Sequence, residues 1–271
     1  MNPATAQIAE LHAPANWRVV DFISDLHLQA GEPGTVHAWE DYMLHTRADA
    51  VFILGDLFEV WVGDDAIQQG ESAGDLIDSF ERRCSRLLQT VTQKCAVFFM
   101  HGNRDFLVGS GFSQTCNVSL LSDPVVLVFA GQRWLLSHGD SFCLGDTDYQ
   151  RFRAQVRNPD WQLSFLARPL PERRAMARDL RAQSERRKQS GVDYADVDAG
   201  AVRNHLIDAH ATTLIHGHTH RPGEHDLGGG LQRWVLSDWD VAATPPRAEV
   251  LRLSLDASGI RMQRLPDKDA C

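Results

Sequence analysis

No run of about 18 or more apolar residues occurs anywhere in the 271-residue chain, so no segment reads as a membrane-spanning helix. The opening MNPATAQIAELHAPANW lacks a basic start followed by an apolar stretch, so no secretory signal is expected. Cysteine is scarce. Cys84, Cys95, Cys116, Cys143 and Cys271 are odd in number and form no C-x-x-C pair. That argues against a disulfide framework or a thiolate zinc knuckle, and for a reducing compartment. Basic charge is also short: 27 Lys and Arg face 36 Asp and Glu, for a net charge of −9. A chain with that balance is not built to coat nucleic acid, and no nucleic-acid partner is expected. No internal repeat or low-complexity tract appears. The remainder is ordinary globular composition, 43% hydrophobic and 23% charged, long enough for one large core or a core with an inserted lobe.

Histidine, by contrast, is concentrated. In LIHGHTHRP, Leu214 to Pro222, His216, His218 and His220 alternate with Gly217 and Thr219. On an extended backbone that alternation puts all three imidazoles on one side. Neutral imidazole is a common metal ligand, although a histidine-rich polar loop would look the same in isolation.

The rest of the chain favours the metal reading. Short apolar runs repeatedly end in chemically capable clusters. Arg18 to Ser24 leads into Asp25-Leu-His27, and Asp49 to Leu54 into Gly55-Asp56. Cys95 to Met100 leads into His101-Gly-Asn103, Arg133 to Ser137 into His138-Gly-Asp140, and Thr213 to Ile215 into His216-Gly-His218. Runs this short and rich in Val, Ile and Phe read as buried strands. Helix-length stretches at Val36 to Arg47 and Gly74 to Thr90 separate the early ones, which implies an α/β layered fold. Ligands in such sheets gather at the carboxyl ends of strands. From Leu231 to Leu265 short strands and tight turns suggest that the sheet finishes in antiparallel hairpins.

The strand pattern stops between Asp146 and Gly191, where a helical stretch is broken by prolines around Arg168-Pro-Leu-Pro171. This segment holds 11 of the 27 basic residues together with Trp161, Leu163, Phe165, Leu166 and Leu170. It reads as a helical insertion packed over the strand ends.

Taken in order, Asp25, His27, Asp56, Asn103, His138, His216 and His218 are seven candidate ligands bearing carboxylate, imidazole and amide groups and no thiolate. Mixed N/O sets suit Mn²⁺, Mg²⁺, Fe²⁺ or Zn²⁺. Seven ligands are too many for one catalytic ion that must leave room for water. They suit two ions about 4 Å apart sharing one carboxylate.

The order D-x-H, GD, GN, H, GHxH resembles the calcineurin-like metallophosphoesterase superfamily. Longer stretches carry the likeness further: Ser24-Asp-Leu-His-Leu28, Gly55-Asp-Leu-Phe-Glu-x-Trp-x-Gly-Asp-Asp65, His101-Gly-Asn-Arg-Asp-Phe-Leu107, Ser137-His-Gly-Asp140 and His216-Gly-His-Thr-His-Arg-Pro222. Between Trp17 and Trp239 the chain is similar to the branch of that superfamily that hydrolyses UDP-2,3-diacylglucosamine in lipid A biosynthesis. The resemblance implies an α/β fold built as a β-sandwich flanked by helices with a helical lid. The core would cover residues 17–145 and 192–265, the lid 146–191, and flexible ends 1–16 and 266–271. It implies two Mn²⁺ per chain, with Mg²⁺, Fe²⁺ or Zn²⁺ as alternatives. One ion would be held by Asp25, His27 and His218, the other by Asn103, His138 and His216, with Asp56 bridging.

The same resemblance implies a catalytic set of Asp56, Asn103, Arg104 and His138. Substrate contacts would come from Asn103, Arg104, Asp146, Ser184, Lys188 and His216. Water would attack the α-phosphorus, giving UMP and 2,3-diacylglucosamine 1-phosphate. Such a protein would be a monomer on the cytoplasmic face of the inner membrane of a Gram-negative bacterium, peripherally attached. Many superfamily members carry His after the GN pair. Here Arg104 stands in that place. Arginine is no proton donor near neutral pH, but its planar fork fits phosphoryl oxygens. A pyrophosphate leaving group has little need of a dedicated acid. A different phosphodiester substrate and a non-catalytic scaffold are the competing readings.

Overall fold

The computed structural model describes residues 8–68, 79–189 and 195–271, the side chains of 183–189 excepted. Among the described residues twelve strands follow in order: β1 (Ala9–His12), β2 (Val19–Ile23), β3 (Ala50–Leu54), β4 (Ala96–Met100), β5 (Ser119–Leu121), β6 (Val125–Phe129), β7 (Gln132–Ser137), β8 (Thr213–His216), β9 (Gly223–Gly228), β10 (Leu231–Val235), β11 (Glu249–Asp256) and β12 (Gly259–Pro266). They form two six-stranded sheets, in the orders β1-β6-β7-β8-β10-β9 and β12-β11-β2-β3-β4-β5. Strands β2, β3, β4 and β5 pair in parallel, as do β7, β8 and β10. Both sheets finish in antiparallel hairpins, β9 with β10 and β11 with β12.

Alternation explains why the central strands are apolar on both faces. From β3, Ala50, Phe52 and Leu54 point into a core shared with Leu127, Leu136 and Ile215 of the other sheet. Val51 and Ile53 point the opposite way, into the layer under α1 (Pro33–His45), α2 (Phe80–Val91) and α3 (Ser110–Cys116). Phe52 stacks on Phe98 with ring centroids 4.6 Å apart, worth about 1 kcal/mol beyond simple burial. A third apolar cluster joins the outer face of the β6–β8 sheet to α7 (Ala199–Asp208). The result is the expected α/β sandwich with helices on both outer faces.

Described residues near both ends pack against the core. Residues 9–12 pair in parallel with β6, so β1 is the edge strand of its sheet. At the other end Ala270 is fully buried and its carbonyl accepts from Arg252.

Three helices fill the segment between β7 and α7: α4 (Thr147–Val156), α5 (Pro159–Leu166) and α6 (Leu170–Gln189). The Asp146 carboxylate caps α4 by accepting from the Tyr149 N–H at 3.0 Å, and Asn158 caps α5. Pro159 and Pro169 stand at the breaks. The insertion is fastened to the core by Arg173, whose buried guanidinium donates to Asp65 and to the Val62 carbonyl. No described helix is long and apolar enough to cross a membrane.

Candidate metal centre

The carboxyl ends of β2, β3 and β4 in one sheet and of β7 and β8 in the other deliver the polar clusters that follow them to one place. Asp25, His27, Asp56, His218 and His220 all adopt left-handed backbone angles, with φ between 49° and 67°. Such non-glycine conformations cost roughly 1–3 kcal/mol each and persist only where the surroundings impose them. One carboxylate imposes the turn at Asp56. Asp105 accepts from the Leu57 N–H at 2.8 Å, the Gly102 N–H at 2.8 Å and the Asp56 N–H at 3.3 Å, which pins the GD and GN loops together. Two glycines let the loops close. A Cβ on Gly102 would strike the Asp56 carboxylate, and one on Gly217 would strike Ser24 and Asp25.

Two sets of ligand atoms result. In the first, Asp25, His27 and His220 bring donor atoms within 4.8 Å of one another. His27 Nε2 is 3.3 Å from His220 Nε2, and His220 Nε2 is 3.4 Å from Asp25 Oδ1. In the second, the Asn103 amide oxygen faces His138 Nε2 at 3.1 Å and His218 Nδ1 at 2.8 Å. His138 Nε2 is also 3.8 Å from Asp56 Oδ2, and Asp25, Asp56 and His138 form a further close group that joins the two sets. His138 Nδ1 lies 2.9 Å from the Leu54 carbonyl. A carbonyl only accepts, so Nδ1 carries a proton and Nε2 is the nitrogen left to face a cation.

The electrostatics fit a cation. Asp25 is fully buried and its Oδ1 has no hydrogen-bond partner. Burial disfavours a charged His138, yet Asp56, Asp25 and Asp140 raise its pKa to about 9. The site therefore draws a proton where no cation supplies positive charge. Burial and the neighbouring His138 lower His218 to about 4, so its imidazole is neutral and free to ligate. Buried carboxylates, an amide oxygen and neutral imidazoles are the donors a divalent first-row cation accepts.

The structure departs from the sequence reading in the histidine run. His216, expected as a ligand, belongs to neither set. It is the last residue of β8, fully buried, with its ring over Gly139 and Nδ1 2.8 Å from the Gly217 carbonyl. Burial lowers its pKa to about 3. His218, expected beside Asp25 and His27, stands instead with Asn103 and His138, and His220 takes its place. The physical reason is that the backbone leaves extended geometry after β8. With φ of 67° at His218 and 50° at His220, period-two alternation no longer holds. The signal was present in the sequence, because the GHxH motif is Gly217-His218-Thr219-His220. His101 also has no part in the centre; its Nε2 meets the Val108 carbonyl at 2.6 Å.

A cleft of about 520 Å³ opens above the centre. Arg104 and Asp146 line it, and the buried Arg104 Nε has no hydrogen-bond partner. Trp61, Phe106, Trp161, Phe165 and Leu180 form an apolar wall. Ser184 and Lys188 fall on α6, but their side chains lie outside the described residues. Three groups without a role in the sequence reading stand here as well. The Tyr149 ring stacks against His218 with centroids 5.8 Å apart. Glu59 sits behind His27, and Arg181 reaches Glu59 from α6.

A family profile described as calcineurin-like phosphoesterase matches residues 19–222. A UDP-2,3-diacylglucosamine hydrolase from Chromobacterium violaceum is 45% identical, over 81% of this chain and 90% of its own length. One from Chromohalobacter salexigens is 41% identical, over 87% of this chain and 93% of its own. Among solved structures, an archaeal phosphodiesterase is similar over 91% of this chain and 99% of its own, with a TM-score of 0.43 and 9% identity.

Proposed function

The chain belongs to the calcineurin-like phosphoesterases, and from that premise we propose that it hydrolyses the pyrophosphate bond of UDP-2,3-diacylglucosamine, giving UMP and 2,3-diacylglucosamine 1-phosphate. The observation that carries this reading is the pair of ligand sets meeting around Asp25 and Asp56 beneath a cleft with one apolar wall. A diphosphate joined to two acyl chains needs both surfaces. In this proposal Asp25, His27 and His220 hold one Mn²⁺, Asn103, His138 and His218 hold the second, and Asp56 serves both. Bound cations would lower the pKa of a nearby water and screen the charge of the phosphates.

This chain's own residues then orient and stabilise. The fixed fork of Arg104 donates to non-bridging phosphoryl oxygens as negative charge develops there. Its backbone N–H donates to Asp56 Oδ1 at 2.8 Å, which holds that carboxylate in place while its side chain turns to the cleft. In this proposal a phosphate leaving group needs no dedicated acid, in keeping with Arg104 following Asn103. The acyl chains lie against Trp61, Phe106, Trp161, Phe165 and Leu180, where burial of each CH₂ is worth about 0.8 kcal/mol. Leu163 and Leu166 are exposed on α5 beside Arg168, which supports peripheral contact with the inner membrane.

Turnover in ¹⁸O-water followed by phosphorus NMR tests the reading. Label in UMP is expected, from attack at the α-phosphorus. Label in the lipid phosphate would refute the regiochemistry. Turnover of cyclic nucleotides alone would refute the substrate.

A further inference from the structure

We propose that Glu59 is a positioning residue that fixes the His27 imidazole from behind and ties it to helix α6, so that cation binding at the His27 side and docking of the insertion are coupled. The proposal rests on the functional reading above, in which His27 is a cation ligand.

Glu59 lies at the end of the GDLFE run that follows β3. Its backbone N–H donates to the Leu28 carbonyl at 3.2 Å, which straps it to the loop that carries His27. Its side chain is only 10% exposed, and an isolated carboxylate so placed would be costly. Three groups surround it. Oε2 is 3.0 Å from His27 Nδ1, while Oε1 is 3.2 Å from Arg181 Nε and 3.5 Å from a terminal nitrogen of Arg104. Arg181 also donates to Gln29 Oε1 at 3.1 Å, two residues beyond His27.

His27 Nδ1 makes no aligned hydrogen bond, but the carboxylate 3.0 Å away favours the proton on that nitrogen by charge and leaves Nε2 as a lone pair. Nε2 is the atom aimed at His220 and Asp25. Partners of this kind orient ligating histidines and raise their basicity. What distinguishes Glu59 is its other oxygen, which is shared with a guanidinium of the insertion. On the second cation side, His138 is held by the Leu54 carbonyl, a neutral group built into the sheet. The second side also meets the insertion, through the Tyr149 ring over His218 and Arg157 on the Gly102 carbonyl, but there no carboxylate is shared between a ligating imidazole and a guanidinium of α6. By reciprocity, whatever stabilises the ordered His27 ring also favours the docked Arg181, and the reverse.

Manganese titration of the apoprotein by calorimetry, paired with hydrogen exchange over residues 170–182, tests this directly. Wild type should take up two Mn²⁺ and show slower exchange in that part of α6 when loaded. Glu59→Ala should weaken one of the two sites about tenfold or more while sparing the other. Glu59→Gln, which can still accept from His27, should fall between. Arg181→Ala should lose the metal-dependent change in exchange. Two wild-type sites in Glu59→Ala, or equal weakening of both, would overturn the positioning role. Retained metal-dependent protection in Arg181→Ala would overturn the coupling. Failure of wild type to bind Mn²⁺ at all would instead remove the functional reading and this inference with it.

Discussion

Nε2 of His220 lies 3.3 Å from Nε2 of His27, and both nitrogens face Asp25 Oδ1 across a gap of donor-atom dimensions. Two imidazole nitrogens that close either share a proton or share a cation, and the nearby buried carboxylate favours a cation. His220→Ala is accordingly expected to retain one Mn²⁺ and lose activity by on the order of 10²-fold, the scale of removing an electrostatic group at a reacting centre. His216→Ala should keep two Mn²⁺ and show its defect as a lower melting temperature, because its ring is buried structure. Metal content by mass spectrometry separates the two. One ion in the His216 variant and two in the His220 variant would restore the alternation read from sequence.

Gly102 is the closest point between the GN and GD loops. In Gly102→Ala the new methyl meets the Asp56 carboxylate and must displace it. Overpacking of this kind costs about 1–3 kcal/mol. Misplacing a reacting group by about 1 Å costs roughly 10²-fold in rate. Thermal melting and kcat should both fall. A fully active Ala variant would mean that Asp56 has freedom the geometry denies it.

Arg173 holds the insertion down. Its loss leaves the Val62 carbonyl and Asp65 without their guanidinium, at roughly 1–3 kcal/mol for unmet hydrogen bonds. For Arg173→Ala, KM for the long-chain substrate is expected to rise about tenfold, since about 1.4 kcal/mol of binding corresponds to that factor. A short-chain analogue, which gains little from the apolar wall, should be affected far less. Equal effects on both substrates would show that Arg173 acts on the phosphate end.

Asp196, on the wall of the cleft, supplies a pH signature that involves no candidate ligand. Hydrogen bonds from Arg233 at 2.8 and 2.9 Å lower its pKa from 3.8 to about 2. Because the folded value is the lower one, the associated stability is present above pH 3.8 and lost as pH falls towards about 2. Its side chain is 35% exposed, so solvent screening leaves about 1 kcal/mol or less. The gap in urea midpoint between wild type and Asp196→Asn should be constant near neutrality and shrink below pH 3.8. A gap that widened in acid would reverse the sign of this linkage.

Much of the site was legible beforehand because strands announce themselves locally. Arg18 to Ser24, Asp49 to Leu54 and Cys95 to Met100 each pair a β-rich apolar run with a polar terminus, and a strand end is where a parallel sheet exposes its ligands. Val125–Phe129 is just as apolar but ends in a plain turn, so nothing about it hinted at a chemical role or at the second sheet it helps to build. The basic insertion was legible as charge but not as pairing. Arg153 is bonded to Asp140, Arg157 to the Gly102 carbonyl, Arg173 to Asp65 and Arg181 to Glu59, so several of its guanidinium groups hold the insertion to the core.

Residue type and order along the chain by themselves determined the chemistry: which donors exist, that none is a thiolate, and that each follows a strand. Those are local properties, carried by side-chain identity and short-range periodicity. Tertiary structure decided which histidine stands beside which carboxylate, because left-handed turns at His218 and His220 are enforced by loops more than a hundred residues away. It also decided that Glu59 and Arg181 meet. Their contact spans two elements with no shared pattern, and only the packing of α6 on the core brings those charges within reach.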